Sequence, residues 1–441
     1  GEYAEQDAAV TLKLWHHLRG EIQKQNLVNI FELETDLFPV LFEMKQRGVR
    51  VDLEKAEGIK NDLLSKEKKL LTSIKKLTNQ DVEVWAAASV AKAFDALKIK
   101  YDRTPTGQPK FDKNFLVTHD SPLAKMVVEA REINKARTTF IESITKHSHR
   151  GRIHAEIHQM RSDQGGTVTG RFSYSNPNLQ QIPARHAILG PLIRSIFIPE
   201  KDCEWGIFDY SQQEPRLVVH YASMKNFTGA SKFVDSYRED ETTDFHTMVS
   251  EMADIPRKQA KTINLGLFYG MGKGKLMSQL GVNLETASDL LAAYNERVPF
   301  VKQLMNDTMN KAGKKGYLST LEGRRCRFDL WEPTNEWGQK ALPLTEAQQQ
   351  YGESMIKRAW TYKSLNRLIQ GSAADQTKKA MLELAKEGYL AHIQVHDELD
   401  FSVASEQDKD KIKDIMENCV QLEVPSKVDV ECGDNWGDAG D

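Results

Sequence analysis

Only four cysteines occur in the 441 residues, at positions 203, 326, 419 and 432, with no CxxC pair and no histidine at zinc-ligand spacing. That scarcity excludes a disulfide frame and a cysteine-built metal cluster, and it points to free thiols in a reducing compartment. No apolar run approaches the roughly 20 residues needed to cross a bilayer, and no signal peptide is recognisable ahead of the fold, so an intracellular setting is expected. Net charge is only −3, which advertises no nucleic-acid partner through global electrostatics. The glycines of YGMGKG, residues 269–274, match neither GxxxxGK[ST] nor GxGxxG, which removes the common phosphate-loop readings. Internal repeats, low-complexity tracts and flexible linkers are also missing. What remains is an ordinary globular composition, 28% charged and 40% hydrophobic, in a chain too long for one core, so two or three subdomains are expected.

Against that background two windows stand out. WGIFDYSQQEPRLVVHYA, residues 205–222, reads as a buried strand interrupted at Asp209. Taken singly, an acid there is explained by its habit of ending strands through bonds to nearby amides. AHIQVHDELDFSV, residues 391–403, alternates like a strand, breaks at His396, Asp397 and Glu398, and alternates again, which predicts a hairpin with acids at its tip. The two acids can meet only if both strands share a sheet, and adjacent carboxylates repel unless a cation lies between them. Paired metal ions about 3.5 to 4 Å apart serve in-line displacement at phosphorus. Asp209 and Asp397 are the candidate ligands, with Asp400 on the outgoing strand as a lesser one.

A third window, IPRKQAKTINLGLFYG, places Pro256 for the first turn of a helix and Gly270 for its end. Arg257, Lys261, Leu265 and Tyr269 recur every four residues along one face. Two cations, an apolar residue and an aromatic in that order fit a nucleoside triphosphate laid along the helix; a merely solvated basic face is the alternative. Amides gather in the loop TGRFSYSNPNLQQIP, residues 169–183, and on a helix carrying Asn366 and Gln370. With Arg171 they can donate to the minor-groove acceptors that every base pair presents, or they can simply form turns. Lysine-rich helical sequence from Lys55 to Lys76, and Arg131, Lys135 and Arg137 beyond it, suit either phosphate contacts along a duplex or a solvated face.

Taken together these windows resemble a family A DNA polymerase over nearly the whole chain: DYSQQEPR is similar to motif A, RKQAKTINLGLFYG to motif B and VHDE to motif C. The resemblance implies that Asp209 and Asp397 hold two magnesium ions, which manganese can replace, with the carbonyl of Tyr210 as a further ligand. It implies an auxiliary role for Glu398, triphosphate binding by Arg257 and Lys261 with His246 beside them, and a place for Lys261 among the catalytic groups. Glu214 matches the steric gate against a ribose 2′-hydroxyl, packed beside Tyr269, and Gln212 and Leu265 fall with the nucleotide-binding residues. Arg171, Asn178, Gln180, Asn366, Gln370 and His396 resemble contacts to primer-template DNA.

The implied fold is α+β, a right hand with an antiparallel palm sheet, helical fingers and a helical thumb. Residues 1–31 would be a remnant of a 3′-5′ exonuclease domain, with Tyr3 and Asp7 in place and the earlier acids absent. Residues 32–149 would form the thumb, 150–222 and 363–441 the palm, and 223–362 the fingers. Template-directed addition of deoxynucleoside triphosphates to a primer 3′-hydroxyl is the implied activity, carried out by a monomer in the cytoplasm of a bacterium or phage-infected host, or in an organelle. Neither a membrane nor a processivity partner is implied. A single-subunit RNA polymerase, a noncatalytic DNA-binding protein on the same fold and a metal-dependent nuclease are the competing readings. Two departures stand out: Gln213 and Pro215 replace aliphatic residues usual in bacterial members, leaving the packing of motif A open, and Leu265 replaces an aromatic.

Overall fold

The computed structural model describes residues 1–162, 165–184, 186–335 and 338–440. Helix α1 (Glu2–Lys24) buries none of its residues and touches the rest through Trp15, whose ring lies 5.7 Å from that of Phe31. Helix α2 (Val28–Arg47) is amphipathic in the ordinary way, burying Ile30, Leu33, Leu37, Val40, Leu41 and Met44. Asp52 starts α3 (Leu53–Thr78) by accepting the Lys55 amide at 2.9 Å, and Ser121 with Pro122 starts α4 (Pro122–Lys135). These two long helices pack together, and with the segments between them they enclose a separate apolar cluster around Phe94, Phe111 and Leu123.

The basic residues of this region are partly spent inside it. Arg131 donates to the carbonyls of Val84 and Phe111, and Arg137 pairs with Glu67 and Glu142. Neither alternative, a duplex or a solvated face, accounts for these donors: the fold engages them with internal acceptors that a helical pattern does not show.

Strand β1 (Glu204–Tyr210) lies inside a four-stranded antiparallel sheet with β2 (Ile393–Val395), β3 (Glu398–Val403) and β4 (Val428–Gly433), in the order β2-β3-β1-β4. The expected hairpin is present: β2 and β3 pair Val395 with Glu398, leaving His396 and Asp397 as its two-residue turn. His, with Asn and Asp, tolerates a left-handed backbone better than most residues, and His396 takes it here with φ +59°.

After β1 the chain enters α5 (Gln213–Ser223), then α6 (Phe245–Ala253), α7 (Arg257–Phe268) and α8 (Pro299–Lys315), which share an apolar cluster built on Phe233, Phe245, Phe268 and Phe300. Pro256 is the N-cap of α7 and Gly270 follows its end with φ +65°, as the sequence predicts. Helix α9 (Ser364–Lys386) crosses from this cluster to the sheet, where Ala380, Met381 and Leu384 join Phe208, Leu399 and Phe401. Short helix α10 (Trp436–Ala439) closes the chain against β1 and β4.

The question raised by Gln213 is answered by that packing. Its side chain is 3% exposed and its amide donates to Gln376 Oε1 at 3.2 Å on α9, while Gln376 in turn donates to Ser426 at 2.9 Å. A polar relay thus fills the place of an aliphatic contact, which is admissible because its members find partners.

Candidate active site

Register alone brings the acids together. Asp209 is the Cα partner of Glu398 on one side and of Asp429 on the other, and the Tyr210 amide donates to the Asp397 carbonyl at 3.1 Å. Asp209, Asp397, Glu398 and His396 line a cleft of about 640 Å³ that is also lined by Lys135, the last residue of α4, and by Ala136 and Phe140 just beyond it. Asp400 is not among its lining residues. It is fully enclosed and accepts from the Trp205 indole at 3.3 Å, so the sheet packing removes it from the ligand set.

The electrostatics of this corner favour a cation. Burial and then the charges of Asp397, Glu398, Asp429 and Glu431 push Asp209 from 3.8 up to about 8, and burial pushes Asp397 and Glu398 upward as well. One buried oxygen of Asp209, Oδ1, has no hydrogen-bond partner among the described residues, a costly arrangement unless something arriving in the cleft satisfies it. Hard oxygen donors without sulfur or imidazole suit magnesium, which is commonly held by one or two carboxylates while substrate phosphates and water complete its shell.

The raised carboxyl also makes stability depend on pH. A folded-state carboxyl titrating near 8 instead of 3.8 makes folding take up a proton across that window, so the stability carried by the protonated form is complete below the lower value and is lost as pH rises through the upper one. In EDTA, the melting temperature of the wild-type chain is expected to fall between about pH 5 and 8 more steeply than that of Asp209→Asn. Parallel curves in thermal melts would contradict the assignment of strain to Asp209.

The four-residue recurrence lies along one side of α7 and ends at Tyr269, its C-cap. Arg257, Lys261 and Tyr269 are exposed and Leu265 is half-buried, while Ala260, Ile263, Asn264 and Phe268 anchor the opposite face. Lys261 makes no ion pair or hydrogen bond among the described residues. Arg257 instead forms a two-pronged pair with Asp244, at 2.8 and 3.2 Å, and also donates to Thr247. Asp244 caps α6 by accepting the Thr247 amide at 2.6 Å; although burial works against it, Arg257 and Thr247 hold its carboxyl down at about 2. His246 is buried, and that burial lowers it to about 4. The Asn264 amide donates to its Nδ1 at 2.9 Å, and Asn264 is oriented by Tyr294. The imidazole is therefore neutral near pH 7, with Nε2 as its donor nitrogen.

Glu214 is held from two sides. Arg171 donates to its Oε1 at 2.8 Å and the Tyr269 hydroxyl to its Oε2 at 3.1 Å, with Gln370 beside that phenol. Loop, α5 and α7 thus meet on one carboxylate. Gln212 accepts from the Phe245 amide at 2.8 Å and donates to the Thr243 carbonyl at 3.1 Å, so that it joins the motif A turn to α6. Asn178 caps the short turn Leu179–Gln181, and Gln180 donates to Gln394 at 3.0 Å. Asn366 and Gln370 lie half-buried on the first turns of α9.

Sequence reasoning missed three residues with clear roles. Gln394 donates to the His396 carbonyl at 2.6 Å and accepts from Gln180, tying the hairpin turn to the 178–181 loop. Asp244 holds Arg257, and Trp436 donates to Glu398 at 3.3 Å. Only Asp244 left a local signal, as an N-cap acid two residues ahead of His246; the others depend on segments distant in sequence.

Comparison with known proteins agrees with this geometry. The sequence pattern described as DNA polymerase family A matches residues 53–438. The chain is 37% identical to the DNA-directed DNA polymerase of Pseudomonas phage M6, across 99% of this chain and 70% of that protein. It is 30% identical to DNA polymerase I of Bacillus subtilis (strain 168), across 99% of this chain but 49% of that longer protein. Among solved structures, the POL domain of Pol1 from M. smegmatis, in complex with DNA primer-template and dNTP, superposes with a TM-score of 0.80 at 26% identity, covering 98% of this chain and 75% of that one. The antiparallel carboxylate-bearing sheet, the cleft above it and the matched motifs converge on one conclusion: this chain belongs to DNA polymerase family A and has its right-hand α+β fold.

Proposed function

We propose that the chain adds deoxynucleoside triphosphates to a primer 3′-hydroxyl under the direction of a DNA template, using Asp209 and Asp397 as metal ligands and the α7 face as the triphosphate site. The observation that carries this reading is the register that seats Asp209 and Glu398 opposite each other beside Asp397, all three lining one cleft and one buried Asp209 oxygen lacking a partner among the described residues. A divalent cation requirement comes with the family; two magnesium ions held by Asp209, Asp397 and the Tyr210 carbonyl, with manganese as substitute, is the finer assignment. Bound there, such ions would supply activation of the primer hydroxyl and neutralisation of phosphate charge.

The chain's own groups do the positioning. Lys261 is free to meet phosphate oxygens. Arg257 is pre-aimed by Asp244 and exchanges that partner for phosphate, while neutral His246 can donate from Nε2. Leu265 and Tyr269 offer the surface against which sugar and base settle, and Glu214 occupies the space beside the sugar. His396, Asn178, Gln180, Asn366, Gln370 and Arg171 fall along the route of a primer-template duplex, between residues 32–149 as thumb and 223–362 as fingers, with 150–222 and 363–441 as palm. We place residues 1–31 as the end of an exonuclease domain. Primer-template DNA and deoxynucleotides are the partners, and a monomer in a bacterium or phage-infected cell is the setting. No described helix is long and apolar enough to cross a membrane.

The test is extension of a labelled primer on a DNA template with magnesium and deoxynucleotides. Longer products that require the template support the assignment. Shorter products would make the chain a nuclease, equal use of ribonucleotides would favour an RNA polymerase, and tight DNA binding without turnover would leave only a binding role.

A further inference from the structure

Behind the loop that carries Arg171 lies a buried set of four charges outside the catalytic cleft. Glu34 of α2, Arg324 in the turn between strands Tyr317–Ser319 and Arg325–Arg327, and Asp375 and Lys378 of α9 interlock. Arg324 pairs with Asp375 at 2.9 Å and with Glu34, and Lys378 pairs with Glu34 at 2.7 Å. Thr320 and the Glu322 amide complete Asp375. Side-chain exposures are 13% for Glu34, 15% for Arg324, 0% for Asp375 and 1% for Lys378. The formal charges cancel, yet burying them is expensive, and well-packed apolar residues of the same volume commonly stabilise as well or better. Stability alone gives no reason for such a set.

Its neighbours supply one. A Cβ at Gly170, whose φ is +84°, would lie 2.6 Å from the Arg324 guanidinium carbon, so the loop backbone rests directly on that plane. Lys378 sits 4.7 Å from the centroid of Phe172, and a Cβ at Gly371 would approach the Thr169 carbonyl at 3.3 Å. Residues 169, 170 and 172 are thus each seated on this floor. Between them Arg171 points to Glu214, and its own buried Nε has no hydrogen-bond partner among the described residues, so its stem is held by packing against the loop and not by a polar contact of its own.

We infer that Arg324, locked between Glu34 and Asp375, is a positioning residue for Arg171 and through it for the sugar selectivity of Glu214. This inference rests on reading Glu214 as the sugar gate. Arg324→Met/Glu34→Gln removes one charge of each sign and leaves Asp375 paired electrostatically with Lys378. In steady-state single-nucleotide incorporation, this variant is expected to raise the ribonucleotide-to-deoxynucleotide ratio of kcat/KM roughly 10-fold, the scale of groups that orient a site from one layer behind it. The change should appear chiefly in the KM for ribonucleotide. In an Arg171→Ala background the same pair of substitutions should change the ratio no further, because the pathway is already cut.

Arg324→Lys, which keeps the charge and loses the flat face, is read in the same way should the double variant fail to give a wild-type-like melting curve. An unchanged ratio in a folded variant, or an equal change persisting with Arg171→Ala, overturns the inference. Glu214→Ala run alongside separates the two layers: a relaxed ratio there with none at Arg324 removes only the positioning role, whereas no change at Glu214 removes the gate and the inference with it.

Discussion

Glu214→Ala is expected to raise ribonucleotide incorporation relative to deoxynucleotide on the order of 10²-fold, the discrimination available to a site that rejects a single added hydroxyl. Glu214 is held by Arg171 at 2.8 Å and by Tyr269 at 3.1 Å, from two different elements, so it does not swing aside to admit a bulkier sugar. Removing the side chain to Cβ leaves room beside Tyr269 and releases both donors. Competition between matched nucleotides at one template position measures the ratio directly. Because the carboxylate, and not its charge, fills the space, Glu214→Gln should keep most of the exclusion; a Gln variant as permissive as Ala would show that charge, not volume, is responsible.

The second large effect concerns the acids. Asp209→Ala and Asp397→Ala are each expected to lower the rate of incorporation roughly 10³-fold or more, the scale on which one preorganised charge-stabilising group is felt. DNA affinity should change little, since phosphate contacts lie on other residues. The two positions need not be equal: Asp209 is set in the middle of a sheet between Glu398 and Asp429, whereas Asp397 belongs to a two-residue turn. Asp209→Asn adds an informative contrast, because the neutral isostere relieves like-charge repulsion at the cost of a ligand. It is expected to be inactive yet more heat-stable without metal near pH 8, the trade between function and stability expected where a site is held strained.

Much of this site was legible in the sequence because its chemistry sits where local patterns break. Asp209 and the 396–398 turn interrupt strand alternation, and the four-residue recurrence from Arg257 to Tyr269 is a property of any helix. The two acids can meet only if their strands share a sheet, and β1 and β3 do lie side by side. Other parts were illegible for a physical reason. Asp244 with Arg257, Gln394 with Gln180 and Trp436 with Glu398 are contacts whose partners come from separate elements, and no single window contains both halves. Gln213 leaves the packing of motif A open in the sequence because its acceptor, Gln376, lies 163 positions away. Arg131 and Arg137 show the reverse error: helical spacing displayed their charge, and only the fold showed the carbonyls and carboxylates that consume it.

Arg257 illustrates how such hidden partners tune function. Its pair with Asp244 is more than half exposed on the arginine side, so it is an easily exchanged contact that stores little stability. Asp244→Ala is expected to cost about 1 kcal/mol of stability through the lost N-cap of α6 and to raise the KM for deoxynucleotide several-fold, about the effect of losing one orienting partner, with kcat changing less. Steady-state incorporation across a deoxynucleotide titration checks this, and an unchanged KM would mean that Arg257 finds phosphate without guidance.

If two strand-end carboxylates make this cleft a site of deoxynucleotide addition, chemistry must fail when either is lost while DNA still binds. Single-turnover incorporation of one templated deoxynucleotide decides this, comparing the wild-type chain with Asp397→Ala, each saturated with primer-template DNA whose affinity is measured in parallel. Rapid magnesium-dependent extension by the wild type, with its near-complete loss in a variant that still binds DNA, is the predicted result. Comparable extension by both proteins would contradict it, because the chemistry would then reside elsewhere.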